Sequence, residues 1–283
     1  MKDFLGAHMS ISGGIHLALE RGVEAGCGVI QIFTQNASQW RGKAVSGDDA
    51  LLFREKRAES GIREVISHDI YLINLGAPPG EVRDKSLAGF REELARCAVL
   101  GITRVVMHPG AHTGDGEETG LRRIIEAFDQ LIPAVPEYSG KILLEITAGQ
   151  GSNVGYCFEH LRTIIAGSSF SDRFGICFDT CHAYAAGYDI KSADGYRKTF
   201  DEFDRIIGLD RLLAFHLNDS KKGLSSRVDR HEHIGAGALG LEPFRMLMND
   251  PRFSHIPKVL ETPKGETEDM DVVNLKLLRD LVE

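Results

Sequence analysis

The sequence lacks any long apolar run. No stretch of the 283 residues approaches the roughly 18 consecutive apolar residues that a membrane-spanning helix requires. The first ten residues, MKDFLGAHMS, also lack the apolar segment of a secretion signal. These two absences exclude a membrane role and predict a cytoplasmic protein.

The sequence also lacks the cysteine pattern of a disulfide framework or a zinc knuckle. It contains five cysteines, an odd number. Cys177 and Cys181 are the only closely spaced pair, and they are one residue too far apart for the usual knuckle spacing. We therefore expect free thiols that pack in the core of a protein kept in a reducing compartment.

Positive charge is scarce as well. There are 33 lysines and arginines against 41 acidic residues, which gives a formal net charge of -8. Taken alone, this balance argues against a nucleic-acid partner. Bound metal cations would offset much of it, so the argument depends on whether the chain holds metal.

The chain does contain eight short apolar runs, each of which ends in or carries polar residues. Their continuous apolar character is typical of parallel strands that are buried on both faces. Between them lie segments with helical spacing, such as residues 87–101 and 121–135, and a last helix is expected near residues 272–283. This alternation predicts one (β/α)8 TIM barrel over residues 1–283. The runs are FLGAH, GVIQIFTQ, EVISHD, ITRVVMH, KILLEIT, RFGICFDT, RLLAFHLND and PKVLETP.

The polar residues at the strand ends recur at βα-unit intervals, so they should meet at one face of the barrel. In barrels of this type, that face carries the active site. Single members have structural explanations: Asp179 could cap a helix, and Glu145 could pair with a basic side chain. Five histidines and four carboxylates together exceed what one ion needs and suit two or three ions. They are His68, His108, Glu145, Asp179, His182, His216, Asp229, His231 and Glu261.

In these contexts the sequence resembles the endonuclease IV family of apurinic/apyrimidinic endonucleases. The matching stretches follow one another over nearly the whole chain, and FDTCHAYAAGYD and RVDRHEHIG are the most specific of them. They are GAHMSISGG (6–14), FTQNASQWRG (33–42), SHDIYLINLG (67–76), HPGAH (108–112), LEITAGQGSNVG (144–155), FDTCHAYAAGYD (178–189), HLNDSK (216–221), RVDRHEHIGAG (227–237) and LETP (260–263).

The resemblance implies three zinc ions at the C-terminal face of the strands, with manganese or iron as alternatives in some sites. Residue by residue, it assigns His68 and His108 to the first ion and makes Glu145 a bridge to the second. Asp179, His216 and Glu261 would complete the second ion's ligands, and His182, Asp229 and His231 would hold the third. His233 matches no ligand position, and we expect it to be a packing or solvated residue.

The resemblance also implies an activity. The expected enzyme is a zinc-dependent phosphodiesterase that cuts duplex DNA 5′ of an abasic site and leaves a 3′-hydroxyl and a 5′-deoxyribose phosphate. It would also trim blocked 3′ ends, act as a monomer, and use Glu261 and Glu145 in catalysis. The candidate DNA contacts are Trp40, Arg41, Tyr71, Leu72 and Arg230.

Two positions depart from the family pattern. Ala236 stands where members commonly carry a glutamate, and Ser38 stands where some carry an arginine that fills the gap in damaged DNA. Both departures leave the metal ligands intact.

Two other functions fit part of the sequence. A sugar isomerase or epimerase would need only Glu145, Asp179, His216 and Glu261 around one ion. A metal-stabilised DNA-binding scaffold would be expected to have lost a ligand or the general base, and neither is missing.

Overall fold

A computed structural model describes residues 3–265 and 269–283. Within them, eight parallel strands close into a barrel, and two further short strands form an antiparallel ribbon. In chain order the strands are β1 (Leu5–His8), β2 (Val29–Phe33), β3 (Glu64–His68), β4 (Arg104–Met107), β5 (Lys141–Glu145), β6 (Phe174–Asp179), β7 (Leu212–His216), β8 (Asp219–Ser220), β9 (His231–Glu232) and β10 (Lys258–Leu260).

Helices follow every barrel strand and form the outer layer. In chain order they are α1 (Leu17–Glu24), α2 (Gly47–Ser60), α3 (Glu81–Leu100), α4 (Glu117–Leu131), α5 (Phe158–Gly167), α6 (Thr180–Ala186), α7 (Ala193–Ile206), α8 (Glu242–Asn249) and α9 (Met270–Asp280). Helix α3 ends as its sequence predicts, at Gly101 with a left-handed φ of 73°.

The barrel strands run in sequence order around the wall, with β10 closing the ring between β7 and β1. Ribbon strands β8 and β9 lie outside this wall, in the long connection between β7 and α8. The (β/α)8 barrel predicted from the alternation of strands and helices is therefore confirmed. Among the described residues, no helix combines the length and the apolar character needed to cross a membrane.

The core has two parts. The larger lies between the barrel wall and the helices and is rich in phenylalanine, isoleucine and leucine. The smaller fills the barrel itself with one fully buried side chain from each of seven strands. Its members are Val29, Ile66, Val106, Leu143, Cys177, Ala214 and Val259.

Candidate metal centre

The candidate site lies one pleat beyond the layer that fills the barrel. Alternate residues of a strand face the same side, so the residue two positions after each interior side chain also points inward. These second residues are all polar, and together they close the C-terminal mouth of the barrel. In strand order they are Gln31, His68, His108, Glu145, Asp179, His216 and Glu261.

Glu145 lies at the centre of this ring and is completely buried. Its Oε2 is 3.1 Å from Nε2 of His68 and 3.3 Å from Nε2 of His108. Its Oε1 lies 3.0 Å from Nδ1 of His216. The two oxygens of one carboxylate thus face two different groups of side chains.

The second group surrounds Nδ1 of His216. This nitrogen is 3.2 Å from Oε2 of Glu261 and 3.9 Å from Oδ2 of Asp179. Asp179 also begins α6, where its Oδ1 accepts a hydrogen bond from the backbone N–H of His182 at 2.7 Å. The capping role considered from sequence is therefore real, and the same carboxylate still faces the mouth.

The third group is assembled by α6 and the β8–β9 ribbon. Asp229 Oδ1 lies 3.2 Å from Nε2 of His182 and 3.4 Å from Nε2 of His231. The two imidazole nitrogens are 3.3 Å apart. The structure therefore brings all nine predicted ligands together, in the three sets expected from the resemblance.

These groups fit divalent metal ions. In each of them, one atom per residue lies within 4.8 Å of the corresponding atoms of the others. Two ligands at the usual distance of about 2.0–2.1 Å from a tetrahedral zinc ion are roughly 3.3 Å apart, which is close to most of the observed separations. Imidazole nitrogens mixed with carboxylate oxygens also suit zinc, manganese and iron.

Glu145 and Asp229 are held in their charged form. Burial opposes the ionisation of Glu145, but the neighbouring histidines, His216 foremost, hold its pKa well below the usual range. Burial likewise opposes the ionisation of Asp229, and the hydrogen bond from His182 lowers its pKa to about 2. A cation that displaces the histidine protons would therefore meet carboxylates that are already ionised.

Most of the histidines are oriented by a hydrogen bond on the ring nitrogen that faces away from their group. Nδ1 of His68 is 2.7 Å from the carbonyl of Asp69, and Nδ1 of His182 is 3.0 Å from the carbonyl of Ile146. For His231, the backbone oxygen of Glu261 lies 3.3 Å from Nδ1. Each contact places the proton on Nδ1 and leaves Nε2 free to bind a metal.

Sequence reasoning missed three residues that hold the ligands, of which Asn218 and Gln31 are fully buried and His8 is half-buried. Asn218 donates to Asp179 Oδ2 at 2.7 Å and accepts from the backbone N–H of Glu261 at 2.9 Å. Gln31 contacts His216 and Glu261, and His8 lies beside Gln31. The sequence did contain a signal for Gln31. Gln31 is two residues after Val29, the interior apolar residue of its strand, whereas the apolar run ends only at Gln35.

The candidate DNA contacts lie on loops at the same end of the barrel, outside the ligand groups. Tyr71 is 66% exposed, yet its ring packs edge-on against Phe33 at 5.3 Å and near His68 at 5.8 Å. Trp40 is half-buried against the core, and Leu72 is half-buried as well. Arg41 and Arg230 are exposed. These five side chains form a rim around the centre, and their contact with DNA remains a prediction.

Ser38 and Ala236, which depart from the family pattern, and His233, which matches no ligand position, lie outside the three groups. Ser38 and Ala236 are exposed on loops, and Ser38 Oγ donates to Asn36 at 2.7 Å. Nδ1 of His233 is 3.2 Å from the side-chain amide nitrogen of Asn274, which fits the expected packing role.

All five cysteines are free thiols. The Cys181 thiol comes within ligand range of Asp179 and His231, and burial raises its pKa to about 12.

A closed parallel barrel with histidine and carboxylate groups at its C-terminal mouth is typical of TIM-barrel enzymes whose sites can hold divalent metal ions. A family described as "Xylose isomerase-like TIM barrel" matches residues 19–281 of the chain. A D-tagatose 3-epimerase-like protein has the same fold, with a TM-score of 0.73 at 19% identity over 98% of this chain and 96% of its own. At that identity the likeness concerns the fold alone.

Within this class the relatives are more specific. A protein of Citrifermentans bemidjiense named "Probable endonuclease 4" is 70% identical over 281 residues, which cover 99% of each chain. The crystal structure of endonuclease IV from Thermus thermophilus superposes with a TM-score of 0.86 at 36% identity, over 98% of both chains. The chain therefore belongs to the endonuclease IV family, and the resemblance inferred from its motifs is confirmed.

Proposed function

We propose that this protein is a metal-dependent endonuclease that hydrolyses the phosphodiester 5′ of an abasic site in duplex DNA. The observation that carries the proposal is the convergence of nine ligands in three groups, with Glu145 facing two of them. A single-metal sugar enzyme would have no need of His68, His108, His182, Asp229 and His231. The membership of the endonuclease IV family supports the same reading.

Three zinc ions are the proposed cofactors, with manganese or iron as alternatives in some sites. Ions held by these residues would supply positive charge for the reacting phosphate and would make a water molecule acidic enough to attack it. His68, His108 and Glu145 would hold the first ion, and Asp179, His216 and Glu261 would hold the second together with Glu145. His182, Asp229 and His231 would hold the third.

Glu261 is suited to orient the attacking water and to accept its proton. His216 keeps the pKa of Glu261 low despite burial, so the carboxylate is ionised, and Oε2 lies 3.2 Å from Nδ1 of His216. The water oxygen bonds to phosphorus while the bond from phosphorus to the 3′ oxygen breaks. The leaving oxygen takes up a proton, giving a 3′-hydroxyl and a 5′-deoxyribose phosphate. The same attack at a blocked 3′ terminus would trim that end.

The rim supplies the DNA contacts in this proposal. A nucleotide without a base leaves the stack at low cost, so its sugar can enter the mouth of the barrel. Tyr71 and Leu72 would occupy the space it vacates, because Ser38 is too short for that purpose. Arg41 and Arg230 would contact backbone phosphates, and Trp40 would support their loop.

The first experiment uses an end-labelled duplex with one tetrahydrofuran abasic analogue. This analogue cannot undergo β-elimination, so any cut must be hydrolytic. We expect a cut 5′ of the analogue whose 3′ end a polymerase extends, and we expect an undamaged duplex to stay intact. No cut by fully metal-loaded protein would overturn the proposal, and sugar substrates would then be tested.

A further inference from the structure

Gln31 is a fully buried polar side chain in the middle of β2. Val29, two residues earlier, belongs to the apolar layer inside the barrel, so Gln31 points into the same layer as the candidate ligands. Parallel pairing sets it beside His8 of β1 and Ile66 of β3. Neither the ligand motifs nor the proposed chemistry explains why an amide occupies this position.

The amide of Gln31 joins two candidate ligands of the second group. Its oxygen is 2.8 Å from Nε2 of His216, and its nitrogen donates to Oε1 of Glu261 at 2.6 Å. The same nitrogen lies 3.1 Å from Nδ1 of His8. Every hydrogen-bonding direction but one lone pair of the amide is therefore used within the mouth.

The orientation of the amide follows from its partners. The carboxylate of Glu261 is an acceptor, so it must face the amide nitrogen, and the amide oxygen must then face His216. An oxygen at this place requires a proton on Nε2 of His216. That proton leaves Nδ1 unprotonated on the side where Glu145, Asp179 and Glu261 converge.

His216 differs in this respect from His68, His182 and His231. Those three donate to backbone carbonyls, which every residue type supplies, and Nδ1 of His182 lies in addition 3.1 Å from Oε1 of Glu145. His216 depends on a side chain, and the neighbouring thiol of Cys177 is no substitute. A thiol forms weaker hydrogen bonds than an amide does.

We propose that Gln31 is a positioning residue for the second metal group. With one amide it sets the tautomer of His216 and holds Glu261 so that Oε1 is occupied and Oε2 faces Nδ1 of His216, where these residues would hold a metal ion. This inference rests on the proposed metal-binding role of the mouth and adds a residue to it. Outer partners of this kind, when removed, typically lower metal affinity or activity by about 10–100-fold.

Gln31→Leu and Gln31→Glu test the proposal together. Leucine fills nearly the same space without hydrogen bonds, whereas glutamate keeps an acceptor for His216 and loses the donor to Glu261. Zinc affinity is measured by titration against a chromophoric chelator. We expect both variants to bind about one ion per chain roughly 10–100-fold more weakly than the wild type. In incision assays kcat should fall, while KM for abasic duplex stays near the wild-type value because the rim is untouched.

The matched control is Ile30→Val, on the same strand with its side chain in the core behind the wall. It should lose some stability and keep its zinc affinity. If Gln31 merely fills space, Gln31→Leu will bind zinc as tightly as the wild type, and the proposal is then wrong.

A measurement on the unmodified protein guards against a variant that does not fold. Selective ¹⁵N-histidine labelling of the zinc-loaded protein, with His216→Gln to assign the signal, shows which nitrogen of His216 binds metal. Binding through Nδ1 is expected, and binding through Nε2 would overturn the proposal. Zinc affinity is independent of any substrate, so weaker binding by Gln31→Leu would stand even if abasic DNA were not cut.

Discussion

At the residue scale, Glu261 carries the clearest prediction. Its carboxylate lies 3.2 Å from His216 and is bonded to Gln31, so it is both fixed and ionised. Glu261→Gln keeps the shape but cannot accept a proton. We expect the variant to fold and to lose about 10²–10⁴-fold in kcat, the usual worth of a general base.

Glu64→Gln is the control for that substitution. Glu64 begins β3 at the opposite end of the barrel, where it pairs with Arg104 at 2.9 Å. Its loss should leave kcat unchanged. Turnover at the wild-type rate by Glu261→Gln, with circular dichroism showing a folded chain, would remove Glu261 from the role of base.

Lys258 gives a prediction about pH and stability. It is 4% exposed, and its ammonium donates to the backbone carbonyls of Phe253 and Ile256. Burial lowers its pKa from 10.5 to about 8. Between these two values the unfolded chain binds more protons than the folded one, so the free energy of unfolding rises with pH.

Lys258→Met removes this titration. The difference in unfolding free energy between wild type and variant should therefore move in favour of the wild type as pH rises from below 8 to above 10.5. The full change is about 3 kcal/mol, at 1.36 kcal/mol for each unit of pKa shift. Urea unfolding at several pH values measures it. The two carbonyls lose their partner at every pH, so a constant difference would contradict the shifted pKa.

At the element scale, the connection between β8 and β9 decides where Asp229 lies. The backbone N–H of Asp229 donates to the side chain of Gln150 at 3.0 Å. Two residues earlier, the guanidinium of Arg227 stacks 3.8 Å above the ring of Tyr156. The backbone N–H of Arg227 donates to the carbonyl of Ala185 at 3.0 Å. Arg227 also has a positive φ of 55°, which such contacts must hold in place.

Arg227→Ala should loosen this anchor and weaken the third group. Because His182 is fixed by α6, the expected result is selective: one ion per chain lost at a chelator concentration that leaves the others bound. Zinc content after dialysis measures it. Arg197→Ala, in exposed ion pairs of α7, is the control and should keep all ions. Equal loss from all three groups in Arg227→Ala would contradict an anchoring role.

The same scale shows what sequence can and cannot predict here. The ends of the strands could be predicted because the apolar runs stop at polar residues. The regular spacing of the βα units then placed His68, His108 and Glu145 at equivalent points of successive units. Gln31 was missed because it lies inside an apolar run, and only the pleat reveals which side it faces. Asn218 was missed because its role depends on contacts with Asp179 and Glu261, 39 and 43 residues away. Such contacts exist only once the barrel has closed.

At the scale of the whole molecule, the negative net charge of the protein opposes the binding of DNA, its proposed and likewise negative substrate. The chain carries a formal charge of -8, and a DNA phosphate approaching the mouth without metal would meet Glu145, Asp229 and Glu261 in their ionised forms. The histidines that keep these carboxylates ionised, among them His182 and His216 with raised pKa values, offset this negative charge when they are protonated. Metal ions in place of the histidine protons would add further positive charge, and would therefore favour the entry of DNA into the mouth as well as its hydrolysis.

Metal removal should consequently weaken DNA binding. Glu261→Gln, which is expected to bind but not to cut, allows the affinity for a tetrahydrofuran duplex to be measured by fluorescence anisotropy with and without zinc. We expect at least about a tenfold loss when zinc is removed, or 1.4 kcal/mol. The salt dependence should also become less steep, because fewer phosphates would be neutralised. Arg41 and Arg230 are present in both forms, so equal affinities would mean that the rim alone binds DNA and that the metals serve only the chemical step.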